Sequence, residues 1–329
     1  MTSRHSSNGV WGVVTVHRPA QVPPLLADLA PQVTGIIVVD DGSGSEFDSI
    51  RAEIAASGAL VLALERNSGI GAALNRGIRC ALDKGASAIV TFDQDSTIAP
   101  GFVAALSAAW EHARAHGVPA GPVVPEFFAD VSQAGPSAGH GVVHAAHAIQ
   151  SGMYLPTGVV DQVGLMDEAL FIDLVDTDFE LRCLDADLPC IVAPGLRLPH
   201  RLGARYRFPG PLGALLPTLT LSTPFRYYYR ARNRIVLARR HPRHRARLRR
   251  DARADYAYFL VAWMLARPRA TMRKLLVAGF RDGRAERMGR MGPALMTEAA
   301  RVTWRARPLP DAESCLLYTS PSPRDVEES

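Results

Sequence analysis

The sequence predicts an α/β fold with a mostly parallel sheet, and three observations carry that expectation. Strand-like and helix-like segments alternate from residue 10 to residue 115 at the spacing of βαβ units. Carboxylates stand where the apolar strand patterns end, which is where open sheets of this kind bind ligands. With 329 residues, 47% hydrophobic and 21% charged, the chain can bury a large core.

The elements follow in order. Val10–Val16 is a short β-branched run and reads as a strand, Val22–Leu29 has apolar residues at helical spacing, and Gly35–Asp40 returns to a strand pattern. Leu60–Leu64 is a further strand, Gly69–Leu82 a helix, Ala86–Asp93 a strand and Phe102–Ala115 a helix with an Ala-rich face. Residues 119–150, rich in Gly, Pro and Ala, show little periodicity. Leu165–Ile172 is apolar and leads into the acidic run Asp173–Glu180, where Thr177–Leu184 fits a helix; Cys190–Ala193 fits a short strand. Arg205–Thr223 contains several Pro and Gly and is expected to form a loop or hinge, and Phe225–Gly292 reads as consecutive basic helices. Ala312–Ser329 differs in composition from the rest, is expected to be disordered, and is similar to translated vector sequence.

Charge is strongly segregated. The chain carries +5 overall, yet residues 226–290 hold 20 Arg and Lys against 4 Asp and Glu, a balance of +16 that leaves −11 for the remainder. That asymmetry predicts an anionic partner for the basic part, phospholipid or nucleic acid, against the plainer alternative of a solvated basic surface. No apolar run reaches the roughly 20 residues that a bilayer-spanning helix needs. Met1–Gly9 lacks the apolar stretch of a secretory signal, and Cys80, Cys183, Cys190 and Cys315 show neither metal nor disulfide spacing. Together these predict a cytoplasmic protein.

Four constellations can carry chemistry. Asp40 and Asp41 end an apolar strand before Gly42-Ser43; a carboxylate there can accept hydrogen bonds from a nucleobase or ribose, although Asp-Asp-Gly-Ser is also good turn chemistry. Asn67-Ser68-Gly69-Ile70-Gly71, with Asn75 beyond it, is a Gly-rich start to a helix, whose backbone N–H groups can face phosphate. Close packing against the sheet explains Gly69 and Gly71 equally well. Asp93-Gln94-Asp95-Ser96 places two carboxylates at a strand terminus, a donor set for a hard divalent cation or a polar loop. Asp176, near the start of the Thr177–Leu184 helix, is either a cap or a general base aimed into a cleft. His200 follows the Cys190–Ala193 strand.

The order and spacing of these motifs resemble family 2 glycosyltransferases, over roughly residues 10–292. Asp93-Gln94-Asp95-Ser96 is similar to the rhamnosyltransferase branch, as are Ile149-Gln150-Ser151-Gly152, Gly164 with Glu168 and Phe171-Ile172-Asp173, His200-Arg201-Leu202-Gly203, and Tyr228 with Arg232 and Asn233. Many relatives carry Glu where Val175 stands and Asn where Asp41 stands.

The resemblance implies a GT-A fold and inverting transfer of rhamnose from dTDP-rhamnose to a hydroxyl of a lipid-linked glycan acceptor. It implies nucleotide binding by Asp40, Asp41, Asn67, Gly69, Asn75 and Asp93, and Mg²⁺ or Mn²⁺ bound by Asp95 with His200. Asp176 would be the catalytic base. Asp173 and Asp178 are the competing carboxylates and, with Ser151 and Gly152, are assigned to the acceptor or sugar pocket. The expected organisation is a catalytic domain over residues 1–224, a basic helical extension over 225–311 that meets an anionic membrane surface from the cytoplasmic side, and a tail over 312–329. A UDP-sugar donor, galactofuranose or glucose, is the enzyme alternative. Nucleic-acid binding by the Arg-rich segment is the non-enzyme alternative; against it, the aromatic residues form no stacking platform and the acidic remainder would repel a polyanion.

Overall fold

The computed structural model describes residues 9–200, 204–210 and 218–309. The expectations for Cys315 and the 312–329 tail, and most of the His200–Gly203 motif, lie outside them. Two compact units emerge: one of residues up to Glu168 together with Val175–His200, the other of Ala169–Leu174 together with the residues from Arg201 onward. The units therefore divide at His200, whereas the composition changes at Phe225, because Ala204–Arg207 pairs with Leu219–Leu221 and with Arg307–Pro308.

The first unit is a mixed, mostly parallel sheet flanked by helices. Its strands are β1 (Val10–Val16), β2 (Gly35–Asp40), β3 (Leu60–Ala63), β4 (Ala88–Asp93), β5 (Val123–Phe128), β6 (Val131–Ser132), β7 (Ala134–Gly139), β8 (Val142–Ala145), β9 (Met153–Pro156) and β10 (Ile191–Leu198). The sheet order is β3-β2-β1-β4-β9-β5-β10-β8-β7, with β6 on β5. β9 runs against both β4 and β5, so β3, β2, β1, β4, β5 and β10 share one direction. β1, β2 and β4 are apolar almost throughout because helices cover both faces of a parallel sheet.

The helices are α1 (Leu25–Leu29), α2 (Asp48–Ala56), α3 (Ile70–Asp83), α4 (Phe102–Ala115), α5 (Thr157–Val163) and α6 (Val175–Asp185). Pro23 and Pro24 shorten the first from the predicted Val22 start, since proline is tolerated only in the first turn. α3 buries Gly71, Ala73, Leu74, Asn75, Gly77, Ile78 and Ala81, a stripe at helical spacing. The 119–150 region, read as irregular, contains β5 to β8. β7 is Ala-Gly-Pro-Ser-Ala-Gly and owes its strand state to pairing with β8, not to side-chain propensity.

The second unit carries β11 (Ala204–Arg207), β12 (Leu219–Leu221), α7 (Pro224–Arg240), α8 (Arg245–Leu265), β13 (Ala266–Arg267), α9 (Arg269–Arg284), α10 (Pro293–Ala300), β14 (Thr303–Trp304) and β15 (Arg307–Pro308). β11 lies between β12 and β15, so part of the expected Arg205–Thr223 loop is strand. α9 closes on α7 at Gly279 and Gly283: a Cβ there would stand 2.4 Å from the Tyr228 carbonyl oxygen and 2.6 Å from that of Arg232. Tyr227, Tyr228, Tyr229, Phe259 and Met272 fill the core between the helices. Residues 169–174 belong to this unit, and Phe171, Asp173 and Leu174 have φ values of 66°, 61° and 64°. Left-handed backbone costs an L-residue about 1–2 kcal/mol, so this segment needs outside support.

Candidate active site

Topology sets the location within the first unit. The chain runs outward from β1 through β2 to β3, then returns to β4 on the other side of β1, so the order reverses at β1, the kind of switch point at which open sheets bind ligands. Val16 pairs with Asp40 and Thr15 with Asp93, so Asp40 and Asp93 flank the carboxyl end of β1. His17 and Arg18 leave that end between them.

Asp40 is 1% exposed and fully engaged. Its Oδ1 accepts from the Ser43 backbone N–H at 3.1 Å and from the Ser43 hydroxyl, and its Oδ2 accepts from Arg51 at 2.5 Å. Ser43 Oγ in turn accepts the Arg18 backbone N–H at 2.7 Å. Asp41 reaches across to the start of α3, where it accepts the backbone N–H groups of Ser68 and Gly69 at 2.6 and 3.0 Å. The amides expected to face a phosphate are thus taken by an internal carboxylate, which the helix N-terminus favours electrostatically. Burial pushes the Asp41 carboxyl above its ordinary value of 3.8, although both amides act to lower it. His17 bridges the loops: Asn67 Nδ2 lies 3.2 Å from its Nε2, and its Nδ1 lies 2.7 Å from the Asp41 carbonyl oxygen. The tautomer with its proton on Nδ1 satisfies both. The His17 backbone N–H donates to Gln94 Oε1 at 2.9 Å, tying the ends of β1 and β4.

Beyond β4 the site continues into the loop before β9. Asp93 Oδ1 accepts from Gln150 Nε2 at 2.6 Å, and the Asp93 N–H donates to Ser151 Oγ at 3.1 Å. Ser151 Oγ is also 2.8 Å from Ser96 Oγ, and the Gly152 N–H donates to Thr91 at 2.7 Å. Asp93, Asp95 and His200 each bring a ligand atom to within 4.8 Å of the others. His200 Nδ1 is buried without a hydrogen bond and lies 3.7 Å from Asp95 Oδ1. A buried nitrogen lone pair beside two carboxylates suits a divalent cation, which such a donor set binds through oxygen and imidazole nitrogen.

Asp176 lies in the first turn of α6, half-buried, with Oδ1 accepting the Thr177 N–H at 2.7 Å. The other predicted residues are held elsewhere. Asp178 accepts from Arg182 at 2.9 Å, and Arg182 also donates to the carbonyls of Val163 and Leu165. Asn75 exchanges hydrogen bonds with Met166 and donates to Glu168. Gly71 allows the same segment close to α3, since a Cβ would stand 3.0 Å from the Asp167 carbonyl oxygen. Asp173 belongs to the second unit, where Arg226 and Arg230 bind its carboxylate at 2.8 and 3.3 Å. Sequence reasoning passed over His17, Arg18, Arg51 and Gln150 as site residues. The first two directly follow a predicted strand, a signal that could have marked them.

Residues 11–127 match the model of glycosyl transferase family 2. A curated relative, dTDP-rhamnosyl transferase RfbF of Shigella flexneri, is 31% identical over 251 residues, covering 71% of this chain and 81% of that protein. The chain belongs to glycosyl transferase family 2. It is accordingly an enzyme, with the GT-A-type α/β sheet that the family implies.

Among solved structures, GalNAc-T7 with UDP, GalNAc and Mn²⁺ aligns with this glycosyltransferase at 13% identity and a TM-score of 0.48, over 57% of this chain and 43% of its own. Residues 1–349 of S. aureus TarS in complex with UDP align at 17% identity and a TM-score of 0.43, over 68% and 63% respectively. The glycosyltransferase therefore spans less than two thirds of either structure.

Proposed function

We propose that this family 2 glycosyltransferase moves rhamnose from dTDP-rhamnose to a hydroxyl of a lipid-linked glycan, with inversion at the anomeric carbon. The observation that carries the reading is the Asp93–Asp95–His200 cluster at the switch point of the sheet, in a chain 31% identical to a dTDP-rhamnosyl transferase. Asp40, Asp41 and Asn67 form the nucleoside end of the site, with Gly69 giving the close turn beside them. Asp93, Asp95 and His200 would hold Mg²⁺ or Mn²⁺, which when bound supplies positive charge against the diphosphate. Ser151 and Gly152 form the wall beside Asp93. Asp176 takes the acceptor proton as the acceptor oxygen bonds to the anomeric carbon, and the electron pair of the breaking sugar–phosphate bond leaves with dTDP. A single displacement needs no protein nucleophile.

Calorimetric titration with dTDP and with UDP, each with and without Mn²⁺, tests this. Tighter, Mn²⁺-dependent binding of dTDP that is lost in Asp95→Ala is expected. Preference for UDP would replace the donor by a UDP-sugar, and binding of neither would overturn the reading.

We also propose that the second unit meets the anionic membrane surface on which such acceptors reside. No helix among the described residues is long and apolar enough to cross a membrane. On α8, however, Tyr256, Leu260 and Met264 stand 45%, 55% and 42% exposed at four-residue spacing, and Val277 on α9 is 59% exposed. Arg253, Arg273 and Arg284 are exposed on the same two helices. Apolar side chains among arginines suit an interface between headgroup and acyl chain. Flotation with phosphatidylglycerol vesicles is expected, weakened by high salt and by Leu260→Asp with Val277→Asp. Flotation that fails at every salt concentration, or retention by nucleic acid instead, would overturn it.

A further inference from the structure

Within the second unit, two helices bring an apolar residue and an arginine to the same place. On α7 these are Ile235 and Arg239, and on α9 Phe280 and Arg284, each pair one turn apart. The two helices run side by side in the same direction. A Cβ at Gly279 would meet Tyr228, and one at Gly283 would stand 2.6 Å from the Arg232 carbonyl oxygen and 3.1 Å from Ile235 Cβ. Both arginines therefore lie at one end. Tyr256 of α8 completes the wall, its ring edge-on to Phe280 with centroids 5.7 Å apart. Together the five side chains line a cavity of 460 Å³.

The cavity has a charged end and an apolar continuation. Arg239 donates to the Arg284 carbonyl oxygen at 2.7 Å and stands 3.4 Å from the Glu286 carboxylate, both side chains exposed. The Arg284 guanidinium makes no hydrogen bond or ion pair among the described residues. Capping the carboxyl end of α9 accounts for Arg239 but leaves Arg284 without a role. One turn further along the seam between α8 and α9, Phe259, Leu260, Trp263, Leu276 and Val277 line a second cavity of 250 Å³, with Arg273 at its far end. At the helical rise, the stretch of α9 from Arg273 to Arg284 is about 16 Å long.

Two guanidiniums at one end of an apolar seam complement an amphiphile that carries an anionic head on a long chain. A phosphate, with more charge and more acceptor oxygens than the Glu286 carboxylate, can bridge both arginines. The chain would cover Tyr256, Leu260 and Val277, which otherwise stand 45%, 55% and 59% exposed to water. We infer that this seam is a discrete site for one lipid phosphate, its head held by Arg239 and Arg284 and its chain laid between α8 and α9. The inference rests on the reading of this unit as meeting a membrane surface. It gives that surface a single stoichiometric ligand in place of a diffuse attraction.

The test is calorimetric titration of the full chain with dodecyl phosphate below its micelle concentration. Dodecyl maltoside, which offers the chain alone, and inorganic phosphate, which offers the head alone, are titrated beside it. Dodecyl phosphate is expected to bind one-to-one and at least about 10-fold tighter than either, because head and chain are linked. Arg239→Gln with Arg284→Gln is expected to weaken it about 30-fold, roughly fivefold for each arginine. Arg253→Gln with Arg273→Gln removes the same charge from α8 and α9 away from the head end, and is expected to change it less than about 3-fold. All four side chains are exposed, so these variants should fold as the unaltered protein does. Equal losses in the two double variants, or dodecyl phosphate binding no tighter than dodecyl maltoside or inorganic phosphate, would overturn the site. Flotation with phosphatidylglycerol vesicles is measured alongside. Flotation without one-to-one binding of dodecyl phosphate keeps the membrane reading and sinks the site, whereas flotation that fails at every salt concentration sinks both.

Discussion

His200 Nδ1 and Asp95 Oδ1 stand 3.7 Å apart, and the nitrogen is buried with no hydrogen-bond donor or acceptor of its own. Nearly all buried polar atoms are paired, so an orphan beside two carboxylates calls for a ligand. His200→Ala is expected to weaken Mn²⁺ binding in the presence of dTDP by at least the roughly 10–100-fold typical of losing even an outer partner. Electron paramagnetic resonance of free Mn²⁺ measures this. Unchanged affinity would remove His200 from the metal site.

Gly42 packs tightly against the backbone just before α3. Its φ is 64°, and a Cβ there would lie 2.1 Å from the Arg66 carbonyl carbon and 2.3 Å from the Asn67 nitrogen. Left-handed strain and overpacking against backbone add, so Gly42→Ala is expected to destabilise by roughly 2–4 kcal/mol. Denaturant unfolding checks the stability, and dTDP calorimetry checks the accompanying loss of affinity.

Asp173 makes the second unit sensitive to acid. Burial alone would raise its carboxyl, but the charges of Arg226 and Arg230 outweigh burial and hold it below the ordinary 3.8. A lowered folded-state value means stabilisation that is present above 3.8 and lost as pH falls through that lower value. Asp173→Asn should therefore flatten the melting temperature between about pH 5 and about pH 2, and lower it at neutral pH. Equal acid slopes for the two proteins would sink this account.

Arg232 is a charge buried in the core of the second unit, serving the carbonyls of Gly289, Ala169 and Leu170. Arg232→Met removes the donor to the Gly289 carbonyl and one of several donors to Ala169 and Leu170, and is expected to cost about 1–3 kcal/mol. Arg232→Lys should restore only part of that, because an ammonium lacks the planar fork that spans several carbonyls. Thermal unfolding of the two variants separates these outcomes.

Much of the first unit was legible because local and global signals agree there. The β-branched run at Val10–Val16, the strand Gly35–Asp40 and the helix Phe102–Ala115 coincide with their predicted bounds. The region from β5 to β8 was not legible: in β7, sheet membership comes from hydrogen bonds to β8 and leaves no trace in side-chain propensity. Gln150 was equally hidden as a site residue, since only the pairing of β4 with β9 brings it to Asp93.

From the sequence alone came the family, the alternation of strands and helices, the segregation of charge, and the carboxylates at Asp40, Asp93, Asp95 and Asp176. These are properties of short segments and of their order. Tertiary structure decided which of those groups work together. It gave the helix N-terminus at Ser68 and Gly69 to Asp41, placed His200 beside Asp95, and bound Asp173 to Arg226 and Arg230. The reason is physical: a hydrogen bond or ion pair between residues 27 or 53 positions apart depends on how the chain closes in space, which periodicity does not encode.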